Sequence, residues 1–128
     1  MKEIIKENIF VSSQDHLELA ITFMNLHKVT GLAVVDNGKL VGVLSAKDFL
    51  KTLVSSKYLN GHLGKVEDYM IKNPKTIPEG AATHSIVDQF VSDRFHYYPV
   101  VDSNNNYRGT IYRPELLKLL SETPQTTW

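Results

Sequence analysis

Ser45 and Asp48 are the residues of this chain whose types and spacing best suit chemistry. They stand three apart in Ser45-Ala46-Lys47-Asp48, where the strand pattern of Lys39 to Leu44 gives way to a helical one. A carboxylate can accept the two hydrogen bonds of a vicinal diol. The unpaired amides and positive end of a helix suit a phosphate. The same Ser-x-x-Asp spacing also serves a plain helix cap, in which the side chains bond the first-turn amides. Spacing alone leaves both roles open.

Other chemistries find no residue set. His16, His27, His62, His84 and His96 show no metal-ligand spacing, and a chain of 128 residues without cysteine lacks the common structural zinc sets and any thiolate nucleophile. There is no Gly-x-Gly-x-x-Gly, no phosphate-loop lysine and no nucleophile elbow. Ser12 and Ser13 beside Asp15 and His16 have the spacing of turn and cap residues rather than a triad. With no base-plus-nucleophile set, the chain is expected not to be an enzyme. Lys plus Arg and Asp plus Glu number 14 each, so no global charge draws the chain to nucleic acid or an anionic membrane. A neutral surface also leaves little repulsion between copies, so self-association is expected. No apolar run approaches the roughly 18 residues of a membrane span, and Met1 to Phe10 has no signal-peptide pattern. Absence of cysteine permits the cytoplasmic location expected here.

The elements that must position Ser45 and Asp48 occur twice. Gly31-Leu32-Ala33-Val34-Val35-Asp36 resembles Tyr97-Tyr98-Pro99-Val100-Val101-Asp102, 66 residues later. Gly42 to Leu50 lines up with Gly109 to Leu117 at an offset of 67, the extra residue falling in the turn Ser103 to Asn106. Each unit opens with an extended segment, Ile9 to Val11 or Lys75 to Ile77. An amphipathic helix follows, with Leu17, Ala20, Ile21 and Met24 on one face, or Thr83, Ile86, Val87, Phe90 and Val91. Asp15 and Glu18 have the spacing of a capping box for the first. Two strands come next, Leu32 to Val35 with Lys39 to Leu44, and Tyr98 to Val101 with Tyr107 to Tyr112. Asp36-Asn37-Gly38 is a hairpin turn, since Asn and Gly tolerate positive φ. A second helix starts near Ala46 and near Pro114, its buried face expected from Phe49, Leu50, Leu53 and Val54, or Leu116, Leu117 and Leu120. The order is β-α-β-β-α, twice, divided as residues 1–64 and 65–128. Between them Tyr58 to Gly64 is expected to be a loop and Lys65 to Ile71 a short helix. The tail from Ser121 to Trp128 is expected to be loose.

Three stretches carry a family resemblance: Val66 to Met70 with Asn73 to Ile77, Pro99 to Asp102 with Ala33 to Asp36, and Gly42 to Asp48. In order, spacing and duplication they resemble the cystathionine-β-synthase (CBS) domain in its paired form, the Bateman module. The resemblance implies a mixed α/β fold in which two repeats pack through their sheets with pseudo-twofold symmetry and leave two clefts. It implies a non-catalytic regulatory module binding an adenosine-containing ligand such as AMP, ATP or S-adenosylmethionine between the repeats, with no cofactor required. A homodimer and a regulated protein partner are also implied.

Carried over residue by residue, the resemblance makes Asp48 the acceptor for the ribose hydroxyls and Ser45 a contact to ribose or phosphate. Val43 would line the cleft near the base. Thr76 and Ile77 would meet the adenine, His96 and Tyr97 would stand near phosphate, and Lys75 and Arg94 are nearby basic candidates. A protonated His96 would hold phosphate better than a neutral one. The second cleft departs from the pattern. It involves Val11, Thr30 and Gly31, but Tyr112 replaces the Ser or Thr and Glu115 replaces the Asp, so one competent cleft per chain is expected. The competing expectation is a protein-interaction or dimerisation module whose clefts are vestigial.

Overall fold

Two glycines at matching positions explain how each sheet is completed. In the computed structural model, which describes residues 4–55, 63–93 and 95–122, Gly42 and Gly109 each lie against a short edge strand. A Cβ on Gly42 would stand 2.7 Å from the Ile71 carbonyl oxygen. One on Gly109, at φ +143°, would overlap the Ile5 side chain. Glycine allows that approach and that backbone angle.

The elements are β1 (Ile5–Lys6), β2 (Phe10–Val11), α1 (Leu17–His27), β3 (Gly31–Asp36), β4 (Lys39–Ser45), α2 (Ala46–Ser55), β5 (Ile71–Lys72), β6 (Ile77–Pro78), α3 (Thr83–Asp93), β7 (Tyr97–Val101), β8 (Tyr107–Tyr112) and α4 (Arg113–Glu122). One sheet runs β2-β3-β4-β5 and the other β1-β8-β7-β6. The pairings correspond: β2 with β3 and β6 with β7 are parallel, β3 with β4 and β7 with β8 antiparallel. Even the register shifts match, at Val34/Val35 and Val100/Val101. The duplicated β-α-β-β-α order is therefore present in the fold, with one addition in each half. Each sheet gains a two-residue edge strand, and β1 joins β8 although it precedes the other half in sequence.

That crossing moves the boundaries. The chain divides into a first unit, Ile9–Pro74, and a second, Met1–Asn8 with Lys75–Trp128. The division at residue 64 follows the sequence repeat, whereas the units follow the sheets. Ile4, 3% exposed, packs into the second unit's core with Ile77, Ile86, Phe90, Tyr98, Val100, Ile111 and Leu116. In the first unit Leu17, Ala20 and Met24 of α1 are buried, as are Leu32 to Val35, Leu44 and Phe49.

Three local expectations are corrected. Asp15 forms no capping box. His16 is the N-cap of α1 and makes no side-chain cap bond. Asp15, one residue outside, accepts from the Ser12 amide at 2.8 Å, and the Leu17 amide donates instead to the Gly64 carbonyl at 2.9 Å. The expected helix at Lys65 to Ile71 shrinks to a 3₁₀ turn, Val66–Asp68. On the second helices Phe49, Leu53 and Leu116 are buried, but Leu50, Val54 and Leu117 are exposed, as is Val91 on α3. Phe49 and Leu53 occupy one stripe four residues apart, and their immediate successors lie about 100° round the helix. The greater part of the connector loop (residues 56–62), Arg94 and the tail beyond Glu122 lie outside the described residues.

Asp36, which ends β3, and Asp102, which follows β7, anchor the turns after them. Asp36 accepts from the hydroxyls of Ser12 and Ser13 and from the Ser13 amide, tying the segment after β2 to the end of β3. The hairpin after it has Asn37 and Gly38 at φ 52° and 77°, as their types predict. Asp102 accepts from the amides of Asn104 and Asn106, the Asn106 side chain and Arg108. These bonds, Asn106's side chain first, lower its pKa to about 2. A depressed folded-state pKa contributes stability above the unfolded value, near 3.9, that is lost as pH falls through the folded value. The melting-temperature gap between wild type and Asp102→Asn should hold steady from pH 6 to about 4.5 and narrow towards pH 2. A gap that stays constant over the whole range would rule this contribution out.

Candidate functional site

The end of the first unit's central hairpin brings Gly31, Val43, Ser45 and Asp48 into one neighbourhood. Gly31 pairs with Ser45 across β3 and β4, and Ala33 pairs with Val43. Successive residues of a strand face opposite ways, so Gly31, Ala33, Val43 and Ser45 share one face of the sheet. That face is built of small side chains. The chain then turns directly into α2, with the Ala46 amide donating to the Thr30 carbonyl at 2.8 Å. Asp48 follows in the first turn of α2 and is exposed, while Ser45 is half-buried and Val43 buried. A carboxylate at a helix start, beside a hydroxyl and a low-relief sheet face, has the chemistry to accept hydrogen bonds from a sugar.

The second unit has the same backbone and different side chains. The Arg113 amide donates to the His96 carbonyl at 2.8 Å, so His96 occupies the place of Thr30. Tyr97 pairs with Tyr112 where Gly31 pairs with Ser45, and their rings stack at 5.7 Å with 26° between planes. Tyr112 is 8% exposed, and burial pushes its phenol pKa far up. Glu115, half-buried in the first turn of α4, lies 3.8 Å from the Lys6 ammonium.

Of the remaining candidates, Lys75, Thr76, Ile77, His96 and Tyr97 belong to the second unit. Lys75 pairs with Asp93 at 2.9 Å. The Thr76 carbonyl accepts from the Gln89 side chain at 3.0 Å. Ile77's side chain is part of the second unit's core, and its backbone pairs with Val100 across β6 and β7. His96 is exposed. Tyr97 has Tyr112 as its aromatic partner. Val11, in the first unit, is buried and pairs with Val34. Sequence reasoning missed the Tyr97–Tyr112 stack and the part of Lys6. The stack was signalled by tyrosines at both positions matching Gly31 and Ser45. Lys6 was not, because its approach depends on β1 crossing to β8. Among the described residues no cluster of three or more His, Asp or Glu could hold a metal, and no helix is long and apolar enough to cross a membrane.

Comparison with known proteins agrees with this architecture. A family model described as the CBS domain matches residues 1–55 and 66–122. The chain belongs to the CBS domain family. The two matched segments make it a tandem CBS pair, a Bateman module. Among curated relatives, inosine-5′-monophosphate dehydrogenase of Methanocaldococcus jannaschii is 31% identical over 116 residues, covering 90% of this chain and 22% of that protein. This CBS pair thus spans about a fifth of the enzyme's length. An uncharacterised protein of the same organism, MJ1426, is 28% identical over 94% of this chain and 90% of its own. Among solved structures, CBSX2 from Arabidopsis thaliana in complex with AMP superposes with a TM-score of 0.79 at 21% identity, covering 94% of this chain and 95% of that one. The CBS domain pair of MJ0100, solved with 5′-methylthioadenosine and S-adenosyl-L-methionine, gives 0.75 at 23% identity and 94% coverage of both. At these identities the likeness is one of fold.

Proposed function

We propose that this CBS pair is a non-catalytic, cytoplasmic regulatory module that binds an adenosine-containing ligand of the AMP, ATP or S-adenosylmethionine class. The observation that carries the proposal is Asp48, exposed in the first turn of α2 beside the small-residue face of Gly31, Val43 and Ser45. The ribose 2′- and 3′-hydroxyls donate to its carboxylate. A phosphate tail, or the methionine carboxylate of S-adenosylmethionine, meets the start of α2 and the Ser45 hydroxyl, and Val43 lines the base. Thr76 and the Ile77 backbone are proposed to reach the adenine, with Lys75, His96 and Tyr97 nearer the tail. The AMP complex of CBSX2 and the methylthioadenosine and S-adenosylmethionine complex of MJ0100 support the ligand class. Ligand binding would alter how the module meets a regulated protein, within the limit set by its differential affinity for the two states.

A thermal-shift panel of AMP, ATP and S-adenosylmethionine tests this. A ligand at about 100 times its dissociation constant should stabilise the fold by about 2.7 kcal/mol. No shift with any of them would leave the competing function, an interaction or dimerisation module with vestigial clefts.

Self-association is proposed for either function. Leu50 and Val54, 55% and 87% exposed, form an outward apolar stripe on α2, and the net charge is zero. A second copy is the occupant proposed for that stripe. Light scattering after size exclusion should give twice the mass of one chain for wild type and a single-chain mass for Leu50→Glu with Val54→Glu. A wild-type monomer would refute it.

A further inference from the structure

The segment that enters β6 is fastened to α3 by two side chains. The Gln89 side chain donates to the Thr76 carbonyl at 3.0 Å, and the Lys75 ammonium donates to Asp93 Oδ1 at 2.9 Å. Asp93 is half-buried, and the hydroxyl of the fully buried Tyr98 lies 3.1 Å from its other oxygen. The pKa of Asp93 is lowered, by the Lys75 hydrogen bond first, so it stays a carboxylate at neutral pH. Exposed ion pairs are weak where two long side chains must be ordered to meet. Here Tyr98 already places the carboxylate, and Gln89 places the backbone beside Lys75, so less entropy is lost in forming the pair. The ammonium of Lys75 is therefore a compensated charge. Of the three residues proposed to stand nearer the ligand's tail, Lys75, His96 and Tyr97, it is the one lysine or arginine.

From this we infer that Asp93, through its hold on Lys75, sets the charge accepted on the ligand's tail: the module takes AMP or the net-cationic S-adenosylmethionine and disfavours a polyphosphate. The inference rests on the proposed adenosine-binding function and narrows its ligand class. Asp93 is a positioning residue here, acting on the tail only through Lys75. Asp93→Asn keeps an oxygen to accept from Tyr98 and removes the charge, so it releases Lys75 without stranding the buried hydroxyl.

Isothermal titration in magnesium-free buffer with AMP, ATP and S-adenosylmethionine tests this. Wild type should bind AMP at least as tightly as ATP. Asp93→Asn should raise the affinity for ATP by roughly fivefold, that for AMP by less, and that for S-adenosylmethionine not at all, since a unit charge near the surface acts according to the charge it meets. Adding Lys75→Gln to Asp93→Asn should remove the ATP gain, as a double-mutant cycle requires of a coupled pair. An ATP gain that survives Lys75→Gln would overturn the role of Lys75. Unchanged affinity ratios, or one factor common to all three ligands, would overturn the inference and leave adenosine binding intact. Wild type that prefers ATP would refute it with no variant at all, so the test stands even if Asp93→Asn does not fold. Failure of wild type to bind any of the three would sink the adenosine-binding proposal and this inference with it.

Discussion

Tyr98→Ala should cost the second unit roughly 3–5 kcal/mol, the range for removing a large buried aromatic. Tyr98, the second residue of β7, is fully buried. Its ring meets Phe90 edge-on at 4.8 Å and lies 5.7 Å from Phe95. Its hydroxyl stands 2.9 Å from the Gln89 carbonyl and 3.1 Å from the Asp93 carboxylate, donating to one at a time. Asp93 in turn holds Lys75, and Gln89 holds the Thr76 carbonyl, so this tyrosine braces α3 against the segment entering β6. Tyr98→Phe keeps the ring and should cost only about 1–2 kcal/mol, the size of a lost buried hydrogen bond. Urea denaturation followed by circular dichroism separates the two variants. Similar losses for both would show that the hydroxyl network, and not the ring, carries the stability.

Asp48→Ala should nearly erase the response to ligand. Hydrogen bonds to a charged partner are worth about 1.5–3 kcal/mol each, and two ribose hydroxyls are proposed to share this carboxylate. A combined loss of roughly 3 kcal/mol weakens binding on the order of 100-fold. At a ligand concentration that stabilises wild type by about 2.7 kcal/mol, the variant would gain about 0.4 kcal/mol. Glu115→Ala, at the matching position of the other unit, should leave the wild-type shift unchanged. Equal losses from both substitutions would place the ligand elsewhere or at both positions.

What the sequence made legible followed from periodicity and duplication. Strands of five to seven residues and helices of ten or eleven carry enough pattern to be placed within a residue or two, as β3, β4, β8 and α4 show. The edge strands β1 and β5 have two residues each and so no alternation to detect. Their only trace was indirect, in Gly42 and Gly109, whose missing side chains make room for them. The α2 face was assigned too broadly because four apolar residues wrap more than one side of the helix, and only Phe49 and Leu53 turn inward. At the site, Ser45 and Asp48 were visible as a motif. That Tyr97 belongs with Tyr112 required the register of β7 on β8, which local sequence does not contain.

Crystals grown with AMP would examine the ribose contact itself. The expected density shows the 2′- and 3′-hydroxyls within hydrogen-bonding distance of the Asp48 carboxylate, with the sugar beside Ser45. Nucleotide bound elsewhere, with Asp48 bonded solely to the amides of its own helix turn, would make that carboxylate a cap and remove the basis for a sugar-binding role.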